Sequence, residues 1–140
     1  MTEFGAAFRE ASRAIGAERG RALRGLGLHA GQELLLGELW REDGLTPGEL
    51  AARMGVETPT VTRMAQRMER AGFVRRRPDA ADRRLVRVHL TEAGQRLRAS
   101  VPTGMVCADE AALAGFSARE RARFVGFLDR VARNLDSSRG

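Results

Sequence analysis

Two helix-start signals stand twelve residues apart in this chain, Thr46-Pro47 and Thr58-Pro59, with Gly55 between them. Proline suits a first helical turn, where the N–H it lacks would have had no partner, and a threonine before it caps the open amides. Glu49 stands three residues after Thr46, placed to reach back to the cap amide and close a capping box. Gly55 fits the left-handed residue that stops a helix. TPGELAARMGV therefore reads as a helix of barely two turns, with Leu50, Ala51 and Met54 facing inward. TPTVTRMAQRMERAG reads as a second helix that runs to Gly72. Two short helices joined by a three- or four-residue turn containing glycine describe a helix-turn-helix.

Placing the second helix at 100° per residue puts Val61, Met64, Ala65 and Met68 on one side. Pro59, Thr62, Arg63, Gln66 and Arg70 fall opposite, with Arg67 and Thr60 on one flank and Glu69 on the other. The outer face offers hydroxyls, an amide and guanidinium groups, and no carboxylate. Such a face suits a polyanion; the plainer reading is a helical hairpin with a solvated basic surface. The net charge of +6 and sequence pI of about 11.3 agree with either, because all 24 basic residues are arginine and coding bias alone could favour that choice.

After the helix pair the hydrophobic period changes. Residues 73–77 and 85–90 read as strands, the second with Val86, Val88 and Leu90 on one face and Leu85, Arg87 and His89 on the other. PDAADRR lies between them. A β-hairpin directly after a helix-turn-helix makes it winged: the second helix reads a major groove, and the hairpin loop reaches the flanking minor groove, whose narrow A·T tracts attract arginine. A free carboxylate in that loop would repel phosphate. Paired, it can hold a guanidinium extended and aimed. We expect Asp82 to do this for Arg84, with Arg83 left for the backbone, while Asp79 and Asp82 also serve as ordinary turn residues.

The flanks are helical and apolar on one side. Residues 3–26 carry Phe4, Phe8, Ala11, Ile15, Ala22 and Leu26 at three- and four-residue steps, weakened by Gly16, Gly20 and Gly25 at about 1 kcal/mol each. Residues 30–42 form a helix with Leu34, Leu35, Leu39 and Trp40 as the expected buried stripe. Thr91 caps a long helix in which Ala93, Leu97, Val101 and Met105 step by four and Pro102 should introduce a kink. Ser117 and Glu120 form another capping box, and Phe124, Phe127, Leu128, Val131 and Leu135 give the last helix a strong stripe. The tail DSSRG is expected to fray. Neither terminal segment can bury its stripe alone, and a core of Leu, Val, Ala and Met with few aromatics is light; both point to a partner subunit.

Other chemistries find no residues. One cysteine excludes an intrachain disulfide and fits a reducing compartment. Cys107 lies near Asp109 and Glu110, which do not activate a thiol, so a buried small hydrophobe is expected. His29 reads as a cap of the second helix, and His89 as a solvated strand residue. Two separated histidines and one cysteine give no metal cluster. Trp40 reads as core. No cofactor and no catalysis are expected. The start of the chain is charged throughout, so no signal peptide is expected, and no apolar run nears the ~20 residues of a membrane span. The expected localisation is cytoplasmic.

LTPGELAARMGVETPTVTRMAQRMERAGFVRR together with DRRLVRVHLTEAG resembles the MarR (multiple antibiotic resistance regulator) family. The first stretch resembles its helix-turn-helix, the second its wing signature of Asp-x-Arg, a strand and Leu-Thr-x-x-Gly. The resemblance implies a mainly α fold with a small β-hairpin wing: a winged helix-turn-helix DNA-binding domain at residues 29–90 and a helical dimerisation region at residues 1–28 and 91–140. It implies a homodimer on a pseudo-palindromic double-stranded DNA operator, probed with Thr60, Thr62, Arg63, Gln66, Arg67 and Arg70 in the major groove. Asp82, Arg83 and Arg84 would serve the wing, with Arg84 in the minor groove, and Arg75, Arg76, Arg77 and Arg87 would add phosphate contacts. It further implies a transcriptional repressor released by a small lipophilic or phenolic effector. The alternative is a winged helix that binds a protein and no longer reads DNA; the basic, carboxylate-free face argues against it.

Overall fold

The computed structural model describes residues 1–138. The order of elements is α1 (Glu3–Gly25), α2 (Gln32–Arg41), α3 (Pro47–Met54), α4 (Thr58–Arg70), β1 (Val74–Pro78), β2 (Val86–Leu90), α5 (Glu92–Ala112) and α6 (Ala118–Ser137). The chain divides into one compact unit of residues Met1–Ala108 and another beginning at Asp109.

In the first unit the expected capping chemistry is present. Thr46 Oγ1 accepts from the Glu49 N–H at 3.2 Å, Glu49 reaches back to the Thr46 N–H, and Gly55 ends α3 at φ 68°. α4 is packed through Val61, Ala65 and Met68, all fully buried. Its cap position is Glu57, without a side-chain bond, so Thr58 lies inside the helix. β1 and β2 pair antiparallel with Arg75 opposite His89 and Arg76 opposite Val88. A third short segment extends this hairpin: Val88 N–H donates to Leu45 O at 2.9 Å and Gly44 N–H to Val88 O at 3.1 Å. The core is aliphatic, as composition required, and runs from Leu35, Leu36 and Leu39 of α2 through Leu45, Leu50, Val61, Met68, Val74 and Val88 to Leu97 and Val101 of α5.

Several expectations are corrected. On α2 the buried stripe is Leu35, Leu36 and Leu39, whereas Leu34 is 58% exposed. The inward face is set by where α3 and α4 lie, and a short leucine run cannot announce that by period alone. His29 does not cap α2 with its ring. Gly31 holds the cap position, and the His29 N–H donates to Gln32 Oε1 at 3.0 Å. Cys107 is exposed. As expected, α5 contains Pro102 and continues past it. α6 runs to Ser137, past the expected start of fraying, and the last two residues of the expected frayed tail lie outside the described residues.

The join between the hairpin and α5 is a knot of hydrogen bonds. Thr91 N–H donates to Phe73 O (3.1 Å), Thr91 Oγ1 donates to Gly72 O (2.6 Å) and accepts from Gly94 N–H (3.2 Å), and Trp40 Nε1–H donates to Gly94 O (3.0 Å). α5 approaches so closely that a Cβ on residue 94 would stand 2.2 Å from the Phe73 carbonyl oxygen.

The second unit holds α6 and the last turn of α5. Ser117 and Glu120 close the expected capping box, the Phe116 and Phe124 rings lie 6.1 Å apart, and Arg121 donates to Glu110 Oε1 at 2.8 Å. Among the described residues α6 buries none, and Phe127 (52%) and Leu135 (61%) are largely exposed.

The close approach at residue 94 makes a sign prediction. Gly94→Ala forces backbone to move and should cost about 1–3 kcal/mol or more. Gly37→Ala, where no atom lies within 4 Å of the added methyl, should stabilise its helix by about 0.5–1 kcal/mol. Thermal unfolding of the two variants at one protein concentration checks it; a Gly94→Ala melt at or above the parent's would contradict the geometry.

Candidate nucleic-acid interface

α4 turns its apolar stripe inward, so its polar residues are left facing solvent. Arg63, Gln66, Arg67 and Arg70 are exposed, and among the described residues none of their side chains has a hydrogen bond or ion pair. Thr60 and Thr62 are half-buried beside them, and Thr62 Oγ1 donates to Thr58 O at 3.1 Å. All six expected residues therefore share one helix surface. Thr60, Arg63 and Arg67 also rim a small hollow of about 150 Å³ beside His29 and Gln32.

The wing loop is built by its two aspartates. One Asp79 oxygen accepts from the Ala81 and Asp82 N–H groups, each at 2.8 Å, and the other pairs with Arg87 Nε. Asp82 Oδ1 accepts from the Arg84 N–H at 3.1 Å and from Arg84 Nε at 3.2 Å. The Arg84 side chain is nonetheless 93% exposed. A guanidinium tethered at its Nε yet open at its far end is the arrangement of an aimed donor. Arg83 is exposed and carries no partner among the described residues.

The four arginines expected at phosphates divide into two kinds. Arg75 and Arg77 are exposed without partners among the described residues, and line an open cavity of about 350 Å³ with Asp43 and His89. Arg76 and Arg87 are held inside the protein's own network. Arg76 donates its N–H to Glu69 Oε2 (2.7 Å), and its Nε and Nη2 to Glu69 Oε1 (3.1 and 3.0 Å). Arg87 pairs with Asp79 and donates Nη1–H to Gly44 O at 2.8 Å. Strand alternation held the clue: Val74 points into the core, so Arg76 shares its side of the sheet while Arg75 and Arg77 take the other. Sequence reading missed Glu69 because a carboxylate on a helix flank has many uses.

The electrostatics are set by these contacts. The Arg87 guanidinium, helped by the Asp82 and Ala81 amides, holds the Asp79 carboxyl down at about 2 from an ordinary 3.8. The Arg76 backbone N–H and guanidinium lower Glu69 against the opposing effect of burial. Among the described residues no group of three or more metal-ligating side chains occurs, and no helix is long and apolar enough to cross a membrane.

A family model described as MarR family matches residues 28–86. The chain is 39% identical over 83 residues to the HTH-type transcriptional regulator TtmR of Methylorubrum extorquens, covering 56% of this chain and 43% of that protein. It thus spans less than half the length of that relative. The structure of the transcriptional regulator PA3341 is similar at 36% identity and TM-score 0.68, covering 96% of this chain and 98% of that one. The PcaV transcriptional regulator from Streptomyces coelicolor shares the fold at TM-score 0.88 and 24% identity, over 97% of this chain and 99% of that one.

The Asp79 contacts carry a pH dependence. A carboxyl whose folded value is lowered stabilises the wing fully above its ordinary range, and that contribution is lost as pH falls from about 4 through about 2. Protection factors of the Ala81 and Asp82 amides in hydrogen exchange should be high at pH 5 and collapse toward pH 2, ahead of those in α4. In Asp79→Asn they should be low throughout.

Proposed function

We propose that this chain, which belongs to the MarR family, is a homodimeric, sequence-specific DNA-binding regulator that acts in the cytoplasm as a repressor. Members of this family are transcriptional regulators and not enzymes. The observation that carries the reading is the unpartnered, carboxylate-free face of Arg63, Gln66, Arg67 and Arg70 on α4. Close ion pairs engage Arg53, Arg76 and Arg87 elsewhere on the winged unit; the three arginines of α4 keep all their donors. Bidentate arginine to guanine and glutamine to adenine are the pairings such a face makes, each worth about 1–3 kcal/mol of discrimination. Thr60 and Thr62 are assigned to hydroxyl contacts with phosphate or base.

Residues 29–90 are assigned to DNA reading, with Arg84, aimed by Asp82, for the minor groove and Arg83 for phosphate. Arg75 and Arg77 remain the candidates for outer phosphate contacts; Arg76 and Arg87 are assigned to holding the wing. Residues 1–28 and 91–140 are assigned to dimerisation. A 20-residue helix that buries nothing while exposing Phe124, Phe127, Leu128 and Leu135 needs a second copy to cover it. Phe4 and Phe8 of α1, 63% and 51% exposed, need the same. Twofold pairing makes a pseudo-palindromic operator the natural target; release by a small lipophilic or phenolic effector is what membership of the family implies.

Selection from random duplexes should recover a pseudo-palindromic site. On it, log affinity against log salt should fall with a slope of about −0.9 for each phosphate neutralised. Arg67→Gln should cost about 1–3 kcal/mol and relax preference at one base pair, whereas Arg83→Gln should weaken all sequences alike. A flat salt response would remove DNA as the partner. Sedimentation equilibrium should give a dimer that Phe127→Glu with Leu135→Glu converts to monomer, with affinity for the two-half-site duplex falling and a single half-site bound as before.

A further inference from the structure

We infer that Glu69 and Arg76 are positioning residues for DNA reading: they set the angle between α4 and the wing, so that helix face and wing tip meet neighbouring grooves of one duplex. The inference rests on the DNA-reading function proposed above and names how that site is held.

Glu69 is the one carboxylate in α4 (TPTVTRMAQRMER), and its place is unfavourable on two counts. It lies in the last turn, where the negative end of the helix dipole disfavours an anion. It also lies on an element whose outer face is otherwise built for phosphate. Something must offset both. Arg76 donates three hydrogen bonds to it, one from the backbone and two from the guanidinium. Among the described residues these are the only side-chain polar links between α4 and either strand. The hairpin's other polar ties, Arg87 to Gly44 O, Val88 to Gly44 and Leu45, and Leu90 N–H to Asp43 Oδ1, run to the segment before α3.

A two-stranded hairpin is marginal by itself, so its direction depends on such ties. The wing tip at Ala81 is five residues beyond Arg76. At about 3.3 Å per residue that is a lever of about 16 Å, and a 10° swing at the clamp moves the tip by about 3 Å. The minor groove is only about 6 Å wide, so such a swing takes Arg84 out of it. The α4 face, packed through Val61, Ala65 and Met68, would be undisturbed.

The test separates flank from core. Duplexes sharing one selected core, with either A·T or G·C pairs where the wings fall, are titrated with the parent chain, Glu69→Gln and Arg76→Gln. The parent should favour A·T flanks; in both variants the A·T-to-G·C affinity ratio should fall by about tenfold, the scale of one lost base-pair preference. Discrimination against a mutated core should stay as in the parent, and the melting temperature should move by no more than a few degrees. Arg76→Lys, which keeps charge but not the fork, should fall between, and serves alone if the others do not fold. Retention of the flank ratio in the variants overturns the inference, as does loss of flank and core discrimination together. A parent that binds the core with no flank preference overturns it while leaving DNA reading in place. A parent that binds no duplex overturns the function on which it rests.

Discussion

The carbonyl of Phe73 is the point on which the winged unit turns. It closes the hairpin by accepting from Thr91, and it lies where any side chain at position 94 would have to be. α5 can start where it does only because residue 94 is glycine, and Trp40 of α2 donates to that glycine's own carbonyl. Three elements distant in sequence therefore meet at a spacing fixed by hydrogen bonds. The Leu-Thr-x-x-Gly stretch is the local signature of this junction. Its leucine packs against the core, its threonine bonds both ways, and its glycine makes room.

From that junction the hairpin projects with little apolar burial to steady it. Val74 and Val88 are buried at its root, while Val86 and Leu85 near the tip are exposed. Charge-assisted hydrogen bonds take over where packing ends. Glu69–Arg76 holds the middle of β1, Asp79–Arg87 holds the base of the loop, and Asp82–Arg84 holds the tip. Acidic residues in a DNA-facing region would otherwise be a liability. Here Glu69, Asp79 and Asp82 are each matched to a guanidinium, which leaves the remaining arginines of α4 and the wing to supply the positive surface.

Much of this was legible in the sequence wherever the physics is local. The caps at Thr46 and Ser117 and the left-handed stop at Gly55 depend on residues within a turn of one another, and stand as expected. The strand alternation is local too, and taken one step further it turns Arg76 inward. The rest depends on partners far along the chain. Trp40 meets Gly94 across 54 residues, and Arg87 meets Gly44 across 43, with no shared pattern to announce either. Leu34 and Leu36 exchanged places because a helix period gives the width of an apolar face but not which neighbour it will face. Cys107 was expected inside on composition statistics; it stands outside, on a helix that carries the exposed Val106 beside it.

The division of arginines into held and open also bears on ionic strength. Attraction between an exposed guanidinium and phosphates along a duplex acts over distances comparable to the Debye length, about 10 Å at 0.1 M salt, and is screened accordingly. The Glu69–Arg76 contacts are about 3 Å long, directional and two-thirds shielded from solvent, so the same salt weakens them far less. Affinity and geometry thus have different sensitivities. Raising salt lowers how tightly the surface holds DNA without first loosening the angle at which helix and wing are presented. A hairpin steadied only by exposed surface pairs would lose both together, and its selectivity would decay along with its affinity.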